Sequence, residues 1–112
     1  IKQVVKAAKV SPVKVMLETS LLTRDEMVRA ALCARDAGAA FVKTSTGYFG
    51  EGAKAEDVTL LKQTVEGKCR VKASGGIRTA EKFREMVEAG ADRIGTSAGK
   101  EIAESLQREM KQ

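Results

Sequence analysis

Two lysines lie inside short strand-like segments, and a glycine turn follows each of them. Lys43 belongs to the segment 41–47 and Lys72 to the segment 71–76. A buried ammonium group is costly unless it is paired or neutralised. If the two lysines lie on neighbouring strands, their charges repel and one amine loses its proton more readily. The pattern predicts a nucleophilic amine that attacks a carbonyl, forms a Schiff base and makes C–C bond chemistry possible.

The same lysines have a purely structural interpretation, in which each pairs with a carboxylate inside a polar core. On the first predicted strand, Lys14 and Glu18 share one face by strand periodicity. If this is also the lysine face, Glu18 could be the counter-ion of one of its cations: Lys14, Lys72 or Arg93. The residues alone leave both interpretations open.

Glycine-rich turns follow three predicted strands and lead towards helices. Gly75 and Gly76 form one turn, residues 95–99 form another, and Gly47 begins a loop over residues 47–52. Backbone N–H groups at the start of a helix provide a site for an anion. We therefore expect a phosphate group to bind at these turns, close to the lysines.

The composition is that of one domain, over residues 1–112, with a net charge of +5. The charge favours an anionic partner such as a phosphate ester, although a solvated lysine-rich surface is the plainer explanation. Nucleic-acid binding is not expected, because the chain has one Tyr, no Trp and no interleaving of aromatic with basic residues.

Metal and membrane chemistry are also not expected. The chain has no His, and Cys33 and Cys69 fit no metal-binding spacing, so we expect no metal site and two reduced core cysteines. No apolar run approaches the roughly 20 residues of a membrane helix. Because residues 1–6 also lack the apolar core of a signal peptide, we expect a cytoplasmic protein.

Strand-like and helix-like segments alternate along the chain. Thr23 with Glu26 forms a predicted capping box, Thr79 a predicted helix cap, and residues 1–9 are predicted to end an earlier helix. The alternation predicts parallel strands with right-handed crossovers. Strands are predicted over four segments: 13–18, 41–46, 70–74 and 93–97.

An internal repeat supports this arrangement. Residues 38–47 align without gaps on residues 90–99, two βα units further along, as expected of a barrel grown by duplication. Strand periodicity then predicts which polar side chains share one face of the sheet. They are Lys43, Ser45, Arg93 and Ser97, and we expect Lys72 and Ser74 to join them.

Four segments, 15–19, 41–47, 71–79 and 90–97, closely resemble the deoxyribose-phosphate aldolase family. That family consists of metal-free class I aldolases, which use no cofactor, on a (β/α)8 barrel. They cleave 2-deoxyribose 5-phosphate to glyceraldehyde 3-phosphate and acetaldehyde. The resemblance implies that Lys43 is the Schiff-base lysine and that Lys72 lowers its pKa. It also implies that the substrate phosphate is held by Gly47, Gly75, Gly76 and Ser97.

The chain departs from the family pattern in length and at single positions. A whole barrel needs about 250 residues, and this chain resembles strands five to eight, so the family's proton-transfer acid has no counterpart. Ala98 follows Ser97 where the family has two serines, and Lys54 stands where a threonine usually caps a helix. We predict a (βα)4 half-barrel of four parallel strands, with a flavodoxin-like doubly wound open sheet as the alternative.

An open half-barrel leaves one face and two strand edges uncovered. We expect a homo-oligomer in which a second copy completes or covers it; the missing half could also lie on another chain. In the flavodoxin-like alternative, residues 1–9 would cover the face.

Two functional hypotheses remain. The intact lysine pair favours a deoxyribose-phosphate aldolase that uses Lys43. The missing acid favours a catalytically impaired module that binds phosphate or serves as a scaffold.

Overall fold

The computed structural model describes residues 1–48 and 50–111. The strands are β1 (Lys14–Met16), β2 (Phe41–Lys43), β3 (Arg70–Ser74) and β4 (Arg93–Gly95). The α-helices are α1 (Lys2–Ala8), α2 (Arg24–Asp36), α3 (Ala55–Val65), α4 (Ala80–Ala89) and α5 (Gly99–Met110), and a 3-10 helix (Thr19–Leu21) precedes α2. Within this part of the chain, every helix is too short or too polar to serve as a membrane span.

The four strands are parallel and lie side by side in chain order, β1-β2-β3-β4. Helices α2, α3, α4 and α5 each contact the next one, so they form a single layer on one side of the sheet. A flavodoxin-like sheet would instead reverse its strand order at a switch point and carry helices on both faces. The prediction of a half-barrel is therefore confirmed, and the flavodoxin-like alternative is wrong.

The hydrophobic core lies between the sheet and this helix layer. Alternate residues of β2 and β3 point into it and meet the apolar stripes of α3 and α4. Burying each large apolar side chain contributes roughly 1.5–3 kcal/mol. The fully buried side chains of this core include Val42, Val58, Leu61, Val65, Val71 and Met86.

The helix starts follow the predicted capping residues. The Glu26 N–H donates to Thr23 Oγ1 at 3.2 Å, and the Thr23 N–H donates to the Glu26 carboxylate at 2.8 Å, which completes the capping box. Thr79 accepts from the Lys82 N–H at 3.1 Å at the start of α4. Lys54 precedes α3 and makes no side-chain cap, as predicted.

Helix α1 lies beside α2 and not over the sheet. Val5 of α1 approaches Gly38, just beyond the end of α2. Residues 1–3 line a cavity together with Cys33 of α2. The idea that residues 1–9 cover the open face of the sheet is therefore wrong.

Three strands end earlier than predicted because their last residues enter loops. Beyond β1, Glu18 adopts a left-handed backbone with φ of 58°, which a strand cannot contain. Beyond β2, the Thr46 N–H binds the Glu18 carboxylate instead of a neighbouring strand. The third strand has the predicted bounds, and β4 ends at Gly95. Because the strands end early, the residues that follow them form the loops around a cleft at this end of the sheet.

Candidate active site

The open face of the sheet carries a row of three cations. The strand register places Lys43 beside Lys72, and Lys72 beside Arg93. Side chains at paired positions of parallel strands point to the same face, with strands about 4.8 Å apart. Lys14 joins this face, because its ammonium lies 5.4 Å from the centre of the Phe41 ring and the Arg93 guanidinium lies 4.6 Å from the same ring. The structure thus brings the four candidate cations together.

The Glu18 carboxylate does not neutralise this row. It accepts hydrogen bonds from the Thr46 N–H at 3.1 and 3.3 Å. In the part of the chain that the structure describes, Glu18 forms no ion pair with Lys14, Lys72 or Arg93. The reason is local, since Glu18 lies beyond the end of β1 and its left-handed backbone turns it out of the strand alternation. The ion pair that we considered for Glu18 is therefore not formed.

Burial and the cation row together lower the pKa of Lys72. Partial burial is the largest cause, followed by repulsion from Lys43, Lys14 and Arg93. No carboxylate of the described residues pairs with Lys72 to oppose this effect. The repulsion that the sequence predicts between the two lysines therefore contributes to the lowered pKa of Lys72.

A cleft of about 410 Å³ opens at the carboxyl ends of β2, β3 and β4. Lys43 contributes to its wall, whereas Lys72 lies next to Lys43 but outside the lining. The proposed phosphate-binding residues also line it: Gly47, Gly75, Gly76 and Ser97. Ser74 and Gly95 belong to the lining as well. The structure thus gathers the four proposed phosphate-binding residues and one lysine around a single space.

Close backbone packing explains why glycines form this wall. A Cβ atom on Gly52 would lie 2.5 Å from the Gly75 carbonyl oxygen, so no side chain fits there. The Ala53 N–H donates to the same oxygen at 3.0 Å. The loop between β2 and α3 is thereby fastened over the end of β3, with Gly47 and Gly75 on the same cleft. Phe49, which belongs to the predicted ligand loop, lies outside the described residues.

Buried hydroxyl groups join β2 to β3 beneath the cleft. The Thr44 hydroxyl donates to the Ser74 carbonyl at 3.1 Å and accepts from the Ser74 N–H at 3.1 Å. The Ser74 hydroxyl in turn donates to the Ser45 carbonyl. All three residues are buried, so these bonds hold the two lysine-bearing strands at a fixed spacing.

The cleft also contains residues that the sequence did not single out. Arg78 lines the cleft directly after the turn at residues 75–76, and Thr46, Tyr48 and Thr96 add polar lining. The signal for Arg78 was its place directly after the predicted anion turn, where a forked donor suits a phosphate group. Among the described residues that line the cleft, none is a carboxylate. The arrangement can therefore attract an anion, but it supplies no carboxylate base.

Comparisons with known proteins agree with this geometry. The family model described as DeoC/LacD family aldolase matches residues 1–105. Deoxyribose-phosphate aldolase 1 of Staphylococcus aureus (strain Mu50) is 58% identical over 107 residues, which make up 96% of this chain and 49% of that protein.

Two solved structures match at similar coverage. The deoxyribose phosphate aldolase of Aeropyrum pernix, described as tetrameric, has a TM-score of 0.87 and 38% identity, over 95% of this chain and 47% of its own. The aldolase QR15 has a TM-score of 0.91 and 43% identity, over 97% of this chain and 49% of its own. The chain spans about half the length of these relatives. Taken with the cleft and the strand order, these matches show that the chain belongs to the DeoC/LacD aldolase family.

Proposed function

We propose that this chain carries the Schiff-base half of a deoxyribose-phosphate aldolase site, with Lys43 as the nucleophile. The observation that carries the proposal is the single cleft that joins Lys43 to the glycine turns at residues 47 and 75–76 and to Ser97. An amine beside an anion site suits a substrate with a carbonyl group and a phosphate group. The relative from S. aureus is named a deoxyribose-phosphate aldolase, and the family resemblance makes 2-deoxyribose 5-phosphate the more specific substrate.

The proposed reaction begins at the substrate carbonyl. The neutral amine of Lys43 adds to carbon 1 of the open-chain sugar, and the adduct loses water to give an iminium ion. Once the 3-hydroxyl group gives up its proton, the bond between carbons 2 and 3 breaks and its electron pair forms an enamine. Glyceraldehyde 3-phosphate leaves; protonation of carbon 2 and hydrolysis then release acetaldehyde and restore the amine.

Lys72 has a supporting role in this proposal. It lies at the position paired with Lys43, where its positive charge disfavours a second ammonium group. Its lowered pKa makes Lys72 a rival nucleophile. We assign the attack to Lys43 because Lys43, and not Lys72, lines the cleft.

The proposed reaction also needs a group that accepts the proton of the 3-hydroxyl group. Since no carboxylate lies in the described lining of the cleft, we propose that turnover needs an acid from outside this chain. The chain covers 49% of its curated relative, so the other half of such a relative is one source.

Reductive trapping tests the assignment. The protein is incubated with acetaldehyde and borohydride near neutral pH, and the ethyl adduct is located by intact mass and peptide mapping. We expect the fastest labelling at Lys43, loss of that labelling in Lys43→Ala, and slower labelling in Lys72→Met. Lys14→Met is the matched control, because it removes a cation from the same face at a residue outside the cleft lining. Equal labelling of the Lys43→Ala variant, or an adduct on Lys72, refutes the assignment.

A second function, a phosphate-binding or scaffold module without turnover, is favoured by the absence of a carboxylate among the described lining residues. In that case, inorganic phosphate raises the melting temperature of the chain, but no acetaldehyde is released from the sugar phosphate. A coupled alcohol dehydrogenase assay for acetaldehyde separates the two functions.

We further propose that the chain forms a homo-oligomer through its uncovered surfaces. The outer edges of β1 and β4 are unpaired in the described sheet, and the A. pernix relative is described as tetrameric. Size-exclusion chromatography with light scattering tests this, and a monomer at all micromolar concentrations refutes it. The single domain over residues 1–112, the cytoplasmic location and the lack of nucleic-acid binding stay predictions.

A further inference from the structure

Gly95 is a glycine for which the backbone gives no reason. It is not among the glycines with a positive φ, so its conformation is open to other residues. It lies at the end of β4, paired with Ser74 on the open face of the sheet. Gly95 also lines the cleft, so what matters at this position is the space that a side chain would fill.

That space is occupied by Lys72. A Cβ atom on Gly95 would lie 2.9 Å from Lys72 Cε, 3.6 Å from Lys72 Nζ and 3.1 Å from the Ser74 Cβ. Lys72 is paired with Arg93, which lies two residues before Gly95 on β4. Its side chain consequently leans across the sheet towards the cleft end of β4, and its terminal atoms rest where a side chain at position 95 would stand.

We propose that Gly95 is a positioning residue for Lys72: the missing side chain forms a notch that holds the Lys72 ammonium group against β4, close to the cleft. The inference rests on the proposed function in one respect, since it assigns Lys72 the task of tuning Lys43. The position of Lys72 itself does not depend on that function.

Among the described residues, the charged groups that act on the ammonium group in this notch are all cations. Lys14 faces it from β1, Lys43 from β2 and Arg93 from β4, while Arg70 shares its own strand and face. No described carboxylate pairs with it. Because the face is open, an ammonium displaced from the notch moves into water, where it is better hydrated and more strongly screened.

The variant Gly95→Ala tests the notch with little risk to the fold. The nearest clash is with the flexible end of Lys72, which can move, whereas the Ser74 Cβ at 3.1 Å has to shift by a few tenths of an ångström. Alanine otherwise suits a strand better than glycine does. The chain, labelled with 13C at lysine Cε, is titrated by NMR, and the Lys72 signal is assigned from Lys72→Met. We expect the Lys72 pKa to rise towards its ordinary value in Gly95→Ala. Gly99→Ala is the matched control, because its methyl group has room, with Thr96 Cγ2 4.0 Å away, and should leave Lys72 unchanged.

A double-variant comparison tests whether Lys72 transmits the effect to Lys43. At neutral pH we expect Gly95→Ala to slow borohydride trapping of Lys43 about threefold, because a displaced Lys72 ammonium repels the Lys43 ammonium less. In the Lys72→Met background, Gly95→Ala should leave the trapping rate unchanged. An unaltered Lys72 titration overturns the inference, as does equal slowing in both backgrounds, which would mean that the methyl group blocks the aldehyde directly. If the unaltered chain forms no adduct on Lys43, the proposed function is refuted. The role of Gly95 in positioning Lys72 is then still tested by the Lys72 titration.

Discussion

Replacing Asp92 is expected to destabilise the protein, because its carboxylate fastens β4 to β3 and α3. It accepts from the Lys62 ammonium at 2.8 Å and from the Val71 N–H at 2.9 Å. The Asp92 N–H also donates to the Val71 carbonyl at 2.8 Å. These contacts immediately precede β4, so they help set the register that brings Gly95 to the cleft.

The size of the effect follows from burial. Val71 is fully buried, and a buried donor left without an acceptor costs about 1–3 kcal/mol. The ion pair with Lys62 adds little, about 0–1 kcal/mol, because both side chains are partly exposed. Asp92→Ala should therefore lower the free energy of unfolding by about 1–4 kcal/mol. Asp92→Asn keeps an oxygen for Val71 and should cost about 1 kcal/mol or less, as should Lys62→Met.

The effect of Asp92 should depend on pH. Burial by itself raises the pKa of Asp92, but the Lys62 ammonium, the Val71 N–H and Arg70 outweigh burial and hold that pKa below its ordinary value. A carboxylate with a lowered pKa stabilises the fold fully above its unfolded pKa, about 4. This stability is lost as the pH falls through the folded-state pKa. The difference between the unaltered protein and Asp92→Asn should accordingly shrink below about pH 4.

Urea denaturation followed by circular dichroism, at pH 7 and at pH 3, measures these differences. The reasoning is refuted if Asp92→Ala is no less stable than Lys62→Met at pH 7, because the Val71 hydrogen bond would then contribute nothing. It is also refuted if the deficit of Asp92→Asn stays constant between the two pH values.

Lys54→Thr should supply the missing cap of α3 and stabilise the fold by about 1 kcal/mol, measured by urea denaturation; Lys54→Ala, which cannot cap, should not. Glu18→Ala should weaken phosphate binding up to about tenfold, because the Thr46 N–H that the carboxylate holds begins a wall of the cleft. Glu18→Gln keeps an acceptor and should stay within about threefold, measured by phosphate-dependent melting; equal losses in both variants would contradict this role. Association of two copies through the open faces should strengthen with added phosphate, since like-charged cation rows repel without a shared anion. Light scattering that shows tighter association in low-salt, phosphate-free buffer would contradict the last expectation.

The fold was predictable because its signals are local. The Thr23 and Thr79 caps mark helix starts by residue type alone. The ends of the strands were harder to predict, because the alternation of residue types continues past the last hydrogen bond between neighbouring strands. Nothing in the sequence indicates that Glu18 takes a left-handed backbone and binds the Thr46 N–H 28 positions away.

The part of the site that follows from strand periodicity and from glycine turns was predictable. These features predict Lys43 and the glycine turns at one end of the sheet, where the cleft lies. They do not predict the direction in which a side chain extends over the neighbouring strand. The notch at Gly95 depends on the direction of the Lys72 side chain, which only the packed sheet determines. Arg78 was missed for a similar reason, since its entry into the cleft depends on the path of the turn before α4.

The reactivity of the lysine pair depends on the chemistry of whatever covers the open face. In this half-barrel the largest cause of the lowered pKa of Lys72 is burial, and repulsion from Lys43, Lys14 and Arg93 comes second. An apolar cover would strengthen both effects, because it removes water and lowers the local dielectric constant. A cover that brings carboxylates near Lys72 would oppose both while supplying the base that the cleft lacks. A covering half that serves the proposed reaction must therefore place its carboxylate beside the 3-hydroxyl group of the substrate and away from the cation row.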